Sequence, residues 1–89
     1  MHQAHIHFTG MVQGVGFRFT TQSFARKFNL GGWVKNLPDG SLEIVAQGEK
    51  NDVDELCEAL KGHFGSYIRA MDLAWEETSE TFQGFHVRY

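Results

Sequence analysis

Ala4-His5-Ile6-His7-Phe8-Thr9-Gly10-Met11-Val12-Gln13-Gly14-Val15-Gly16-Phe17-Arg18 holds a strand, a glycine loop and a helix start in one run. Ala4, Ile6 and Phe8 alternate with His5, His7 and Thr9, the period of a half-buried strand. Gly14 and Gly16 then allow a tight turn whose N–H groups converge, and a helix N-terminus adds partial positive charge. Arg18 brings a fixed charge and a planar fork of donors that matches phosphate oxygens. The stretch therefore reads as a cradle for a small anion. On spacing alone it is equally an ordinary turn, because two glycines and an arginine are a short pattern.

Downstream, the spacing predicts a helix from about Arg18 to Leu30. Thr21, Phe24, Ala25 and Phe28 share one face, Arg26 and Lys27 sit near its C-terminus, and Gly31 and Gly32 act as its stop. Trp33 to Leu37 and Ser41 to Gln47 read as strands joined by Pro38-Asp39-Gly40, a turn in which Pro presets one angle and Gly tolerates a positive one. Asn51 is expected to cap a second helix whose stripe is Val53, Leu56, Cys57 and Leu60, with Gly62 and Gly65 at its exit. Ile68 to Trp75 reads as another strand, with Met71, Leu73 and Trp75 alternating. Phe85, Val87 and Tyr89 alternate in a short last one. The order predicts an α+β fold: a ferredoxin-like split β-α-β sandwich, βαββαβ plus a short final strand, with two helices on one face of a mostly antiparallel sheet.

The chain's 89 residues are expected to form one domain over residues 1–89, and eight Phe and two Trp help so small a core. The net charge of −3 argues against a general nucleic-acid binder, which is normally basic. The strand Leu42-Glu43-Ile44-Val45-Ala46 also lacks the aromatics of an RNA-binding sheet. No apolar run approaches a membrane span, and the N-terminus has no signal-peptide pattern. A single cysteine, Cys57, excludes an intrachain disulfide and fits a cytoplasmic location. It lies on a helix's apolar stripe and reads as structural. His5 and His7 share one side of a strand, but no third ligand is evident, so no metal site is expected.

Neither nucleotide motif fits the loop. No Gly-Lys-Ser/Thr follows it, and Gly14-x-Gly16-x-x ends in Phe19. A second segment, Gly32-Trp33-Val34-Lys35-Asn36-Leu37-Pro38-Asp39-Gly40, places Asn36 near a strand end. Its amide carries a donor and an acceptor that can hold a water. In the predicted fold that strand is expected close to the one feeding the loop.

Val12-Gln13-Gly14-Val15-Gly16-Phe17-Arg18, joined to Gly32-Trp33-Val34-Lys35-Asn36 and Asp39-Gly40, closely resembles the acylphosphatase family. The resemblance extends to the size, the element order and the ending Gly84-Phe85-His86-Val87-Arg88-Tyr89. It implies hydrolysis of the carboxyl–phosphate bond of acyl phosphates, with inorganic phosphate as a product and no metal or organic cofactor. It implies that Arg18 binds the phosphate, that Asn36 orients the attacking water, and that the backbone amides of Gln13, Gly14, Val15, Gly16, Phe17 and Arg18 cradle the phosphate. A monomer acting on a small molecule, without nucleic acid or membrane, is the expectation. One departure is Met11, where the family often has a basic residue, which implies a less positive phosphate site.

Overall fold

The structure is a computed structural model that describes all residues from Met1 to Tyr89. Strand β1 is His2–Gly10, helix α1 Phe17–Lys27, β2 Gly31–Asn36, β3 Leu42–Gln47, α2 Lys50–Phe64, β4 Ile68–Glu77 and β5 Phe85–Arg88. A single 3₁₀ turn, Gly65–Tyr67, joins α2 to β4. The five strands form one sheet in the order β4-β1-β3-β2-β5. All neighbours are antiparallel except β2 and β5, which run parallel. The two helices cover one face, as the element order predicts.

The alternation of β1 sends Ala4, Ile6 and Phe8 into the core, where all three are fully buried. On β3, Leu42, Ile44 and Ala46 do the same, paired with Phe8, Ile6 and Ala4. The buried stripe of α1 is Phe17, Thr21 and Ala25, with Phe24 and Phe28 packed against its margin. Phe17 stacks on Phe64 of α2 at 4.2 Å between ring centres and tilts against Phe8 at 5.2 Å. Burying such a ring is worth roughly 1.5–3 kcal/mol. It pins the first residue of α1, and so fixes where the preceding loop ends.

Several boundaries differ from the sequence reading. Helix α1 ends at Lys27, before the expected Leu30. Asn29 adopts the left-handed conformation at φ 59°, the N–H of Leu30 reaches the Ala25 carbonyl at 2.9 Å, and that of Asn29 reaches Arg26 at 3.2 Å. This pair of bonds closes the helix with Asn in the position usually given to Gly. Gly31 and Gly32 are thereby freed to open β2. Asn51 lies inside α2 rather than capping it: Glu49 holds the cap position, and its carbonyl accepts from Asp52 and Val53. Gly62 also lies within α2, while Gly65 ends it. Leu37 and Ser41 fall just outside the strands they were expected to join. Strand β4 runs two residues past Trp75, which is exposed on this edge strand.

Candidate active site

Residues 11–16 link the end of β1 to α1. Gly14 and Gly16 sit at φ 78° and 79°, with no other heavy atom within 4 Å of where a Cβ would stand. The glycines are needed for the backbone angle, not for room. Gly16 is the cap residue of α1. No side chain caps the helix, and no acidic residue occupies its first turn. From Gln13 to Phe19, no backbone N–H donates a hydrogen bond within the protein. The first helical bond is that of Thr20 to the Gly16 carbonyl, at 3.1 Å. A run of unpaired donors at a helix N-terminus, with no competing carboxylate, is a site for an anion.

A cavity of about 220 Å³ lies here, lined by Val12, Gly14, Gly16, Phe17, Arg18, Phe19 and Asn36. Arg18 is half-buried in the first turn of α1. Its Nη1 donates to the Arg88 carbonyl at 3.4 Å, and its guanidinium lies 4.7 Å from the centre of the Tyr89 ring. No carboxylate pairs with it. Asn36 enters from the last position of β2. Its Oδ1 is buried and has no hydrogen-bond partner. An unsatisfied buried acceptor costs about 1–3 kcal/mol, so its presence marks a place where polar chemistry outranks stability.

The sheet order sets how the strand of Asn36 and the strand that feeds the loop come close. Strand β3 lies between β1 and β2, which places two strand spacings between Asn36 and the end of β1. Asn36 meets the loop because the loop turns back across β3 toward α1. Of the residues assigned to the cradle, Gly14, Gly16, Phe17 and Arg18 line the cavity, and Gln13 and Val15 do not. Val15 is exposed. The Gln13 side chain reaches the other way, its Nε2 donating to the carbonyls of Leu37 at 2.8 Å and Ser41 at 2.9 Å. These carbonyls belong to the turn that follows Asn36, so Gln13 ties the loop to the hairpin. The sequence carried no sign of this tie, because a glutamine beside a glycine reads only as polar loop. Phe19 was also missed at the cavity wall. Its signal was present: it falls off the Phe17, Thr21, Ala25 stripe and is 60% exposed.

The chemistry elsewhere is structural. The His5 ring bonds to Glu43, and the His7 ring to Ser41 Oγ at 2.8 Å. Ser41 gives its own proton to Asp39 Oδ1, so His7 is the donor in that contact. No three His, Cys, Asp or Glu side chains are grouped to hold a metal ion. Cys57 is buried, and burial pushes its thiol up to about 11, away from nucleophilic use. Met11, exposed at the surface, lines a neighbouring cavity rather than this one.

The model of the acylphosphatase family matches residues 4–87. The chain belongs to the acylphosphatase family. It is 40% identical over 81 residues to an acylphosphatase of Salinibacter ruber, covering 90% of this chain and 85% of that one. The crystal structure of acylphosphatase from Bacillus subtilis superimposes with a TM-score of 0.91 at 37% identity, with all of both chains covered. HypF of T. kodakarensis contains a similar unit: TM-score 0.86 and 31% identity, covering all of this chain and 12% of that one. No helix of this acylphosphatase-family chain is long and apolar enough to cross a membrane.

Proposed function

We propose that the protein hydrolyses acyl phosphates at the carboxyl–phosphate bond, giving a carboxylate and inorganic phosphate. One observation carries this reading: unpaired loop amides, Arg18 and the orphaned Asn36 amide line one small cavity. Phosphoryl transfer needs positioning and charge stabilisation more than covalent help. The amides of Gly14, Gly16, Phe17 and Arg18 and the Arg18 guanidinium are the donors to the phosphate oxygens. Asn36 holds the water in line with the bond to the carboxylate. Water oxygen bonds to phosphorus as the P–O bond to the acyl group breaks, and the electron pair leaves with the carboxylate. The water's proton passes to a phosphate oxygen, and no side-chain base is required. The lining offers N–H donors to an anion and no carboxylate to a cation, which suits catalysis without a metal. Both parts of the site come from one chain, which supports a monomer as the working unit. The buried, lone Cys57 suits the reducing cytoplasm.

The test is hydrolysis of acetyl phosphate in excess chelator. Arg18→Ala is expected to lose about 10²–10³-fold in kcat, the usual effect of removing a donor to transition-state charge. Asn36→Ala is expected to lower kcat while inhibition by inorganic phosphate persists. Wild-type protein that binds phosphate without turnover would instead be a non-catalytic anion-binding or accessory module, as part of a larger protein such as HypF could be. Asn36→Ala with normal turnover removes Asn36 from the mechanism.

A further inference from the structure

Strand β4 closes one side of the sheet and pairs only with β1, so its outer edge is open along ten residues, Ile68–Glu77. A long open edge is a template for another strand. The pairing with β1 sets its two faces. Met71, Leu73 and Trp75 stand opposite Phe8, Ile6 and Ala4, and so share the helix-covered face. Met71 and Leu73 pack against the margin of the core, whereas Trp75 is 38% exposed. Beside them a cavity of about 330 Å³ lies between β4 and α2, lined by Asp54, Cys57, Glu58, Lys61, Met71 and Leu73. Ala70, Asp72, Ala74 and Glu76 stand opposite Thr9, His7, His5 and Gln3 on the uncovered face.

This edge is its own complement. Arg69-Ala70-Met71-Asp72-Leu73-Ala74-Trp75-Glu76-Glu77 can be laid antiparallel against a second copy with Leu73 opposite Leu73. Arg69 then stands opposite Glu77 and Met71 opposite Trp75, each pair occurring twice. Opposite charges and apolar side chains facing each other are the stabilising cross-strand combinations. Asp72 meets Ala74 and Glu76 meets Ala70, partners small enough to leave both carboxylates in water. Moving the centre by one residue destroys the match. Centred on Asp72, two aspartates face each other; centred on Ala74, Asp72 faces Glu76. The end charges are available for the pairing. Arg69, the extra residue where Thr9 and Gly10 pair with Ala70 and Ile68, is in no ion pair. Glu77 has only the exposed His2 ring beside it, at 3.5 Å. In this register the Trp75 indole of the second copy, opposite Met71, arrives at the cavity beside α2.

We propose that β4 is a self-association edge: two copies of this chain pair antiparallel through it about Leu73, and each seats its Trp75 in the other copy's cavity between β4 and α2. The two-fold axis stands perpendicular to the sheet. The two five-stranded sheets become one, and the helices of both copies stay on the same face. A tryptophan filling a pocket is a usual anchor of an interface, and here charge pairs flank it at both ends of the seam. The seam is one strand wide, at the small end of specific contacts, so the dimer is reversible. The phosphate cavity contains no residue of β4. The single chain therefore remains the unit that turns over, and the pairing stands or falls independently of the proposed activity.

The test is sedimentation velocity of the full chain at concentrations up to about 1 mM, the range of weak specific contacts. A reversible shift from one chain to two is expected. Trp75→Ser is expected to raise the dissociation constant about thirtyfold or more, the scale of a lost anchor. Arg69→Glu and Glu77→Arg, both at exposed positions, each set like charges opposite one another at both ends of the seam. Each is expected to weaken pairing about tenfold. Mixed together, these two variants bring opposite charges face to face again, and the mixture is expected to pair as tightly as the wild type. Rescue by mixing separates the seam from any general effect of the substitutions on folding. A chain that stays single throughout the range overturns the proposal. So does a dimer that Trp75→Ser and the charge reversals leave intact, or a pair of reversals that weaken association without rescuing each other.

Discussion

Gln13→Ala separates the two halves of the site. The side chain donates two hydrogen bonds from one nitrogen, to Leu37 O and Ser41 O. Neither carbonyl is left bare by the change, because Leu37 O keeps its bond from Gly40 N and Ser41 O keeps its bond from Leu37 N. The loss is therefore two net hydrogen bonds without a fully orphaned partner, about 1–2 kcal/mol in total. For a domain of this size that lowers the melting temperature by roughly 5–10 °C. The catalytic loss is expected to be larger in proportion. The loop and Asn36 approach from elements separated by β3, and Gln13 is the side chain that ties the loop to the turn after Asn36. A displacement near 1 Å costs about 10²-fold in rate. Turnover of acetyl phosphate at a temperature well below the variant's unfolding, with kcat and the inhibition constant of phosphate measured separately, should show kcat falling and phosphate binding nearly kept. Gln13→Glu should behave at least as badly, since a carboxylate cannot donate to two carbonyls. A Gln13→Ala protein that melts early but turns over normally would refute the strut and leave Gln13 a purely structural residue.

Two further outcomes follow from the same geometry. Gly16→Ala should destabilise the protein by about 1–2 kcal/mol in chemical denaturation, because φ 79° is a left-handed angle that a Cβ penalises. Free space around the position makes this a pure backbone effect, and a neutral result would show that the loop relaxes. Cys57 should resist alkylation at pH 8 in the folded protein and react quickly once unfolded. Its thiol is raised from 9.0 to about 11 by burial, so the folded state holds the proton more tightly. Its contribution to stability is full below pH 9 and declines as pH rises toward 11. Folded-state labelling as fast as that of the unfolded chain would show the helix stripe to be open.

The fold was legible because β1, β3 and the two helices each carry a clean hydrophobic period, and alternate buried residues leave little freedom of register. The helix ends were less legible. Asn29 does what the sequence seemed to ask of Gly31, since asparagine tolerates the left-handed angle and the pairing with β3 claims both glycines for β2. At the site, Arg18 and Asn36 were marked by residue type and motif, and the cavity joins them. The Gln13 tie was not legible. It joins the loop to carbonyls 24 and 28 residues downstream, which reach it only once β3 lies between β1 and β2.

The bare amides after Gly14 also bear on folding. A native state that leaves those donors unspent is stabilised by any anion that fits them, while the unfolded chain has no such cradle. Bound anion then adds about 2.7 kcal/mol when present at a hundred times its dissociation constant. The proposed cradle thus makes the melting curve a titration of its own ligand, and replacing chloride buffer with phosphate is expected to raise the melting temperature with no residue altered.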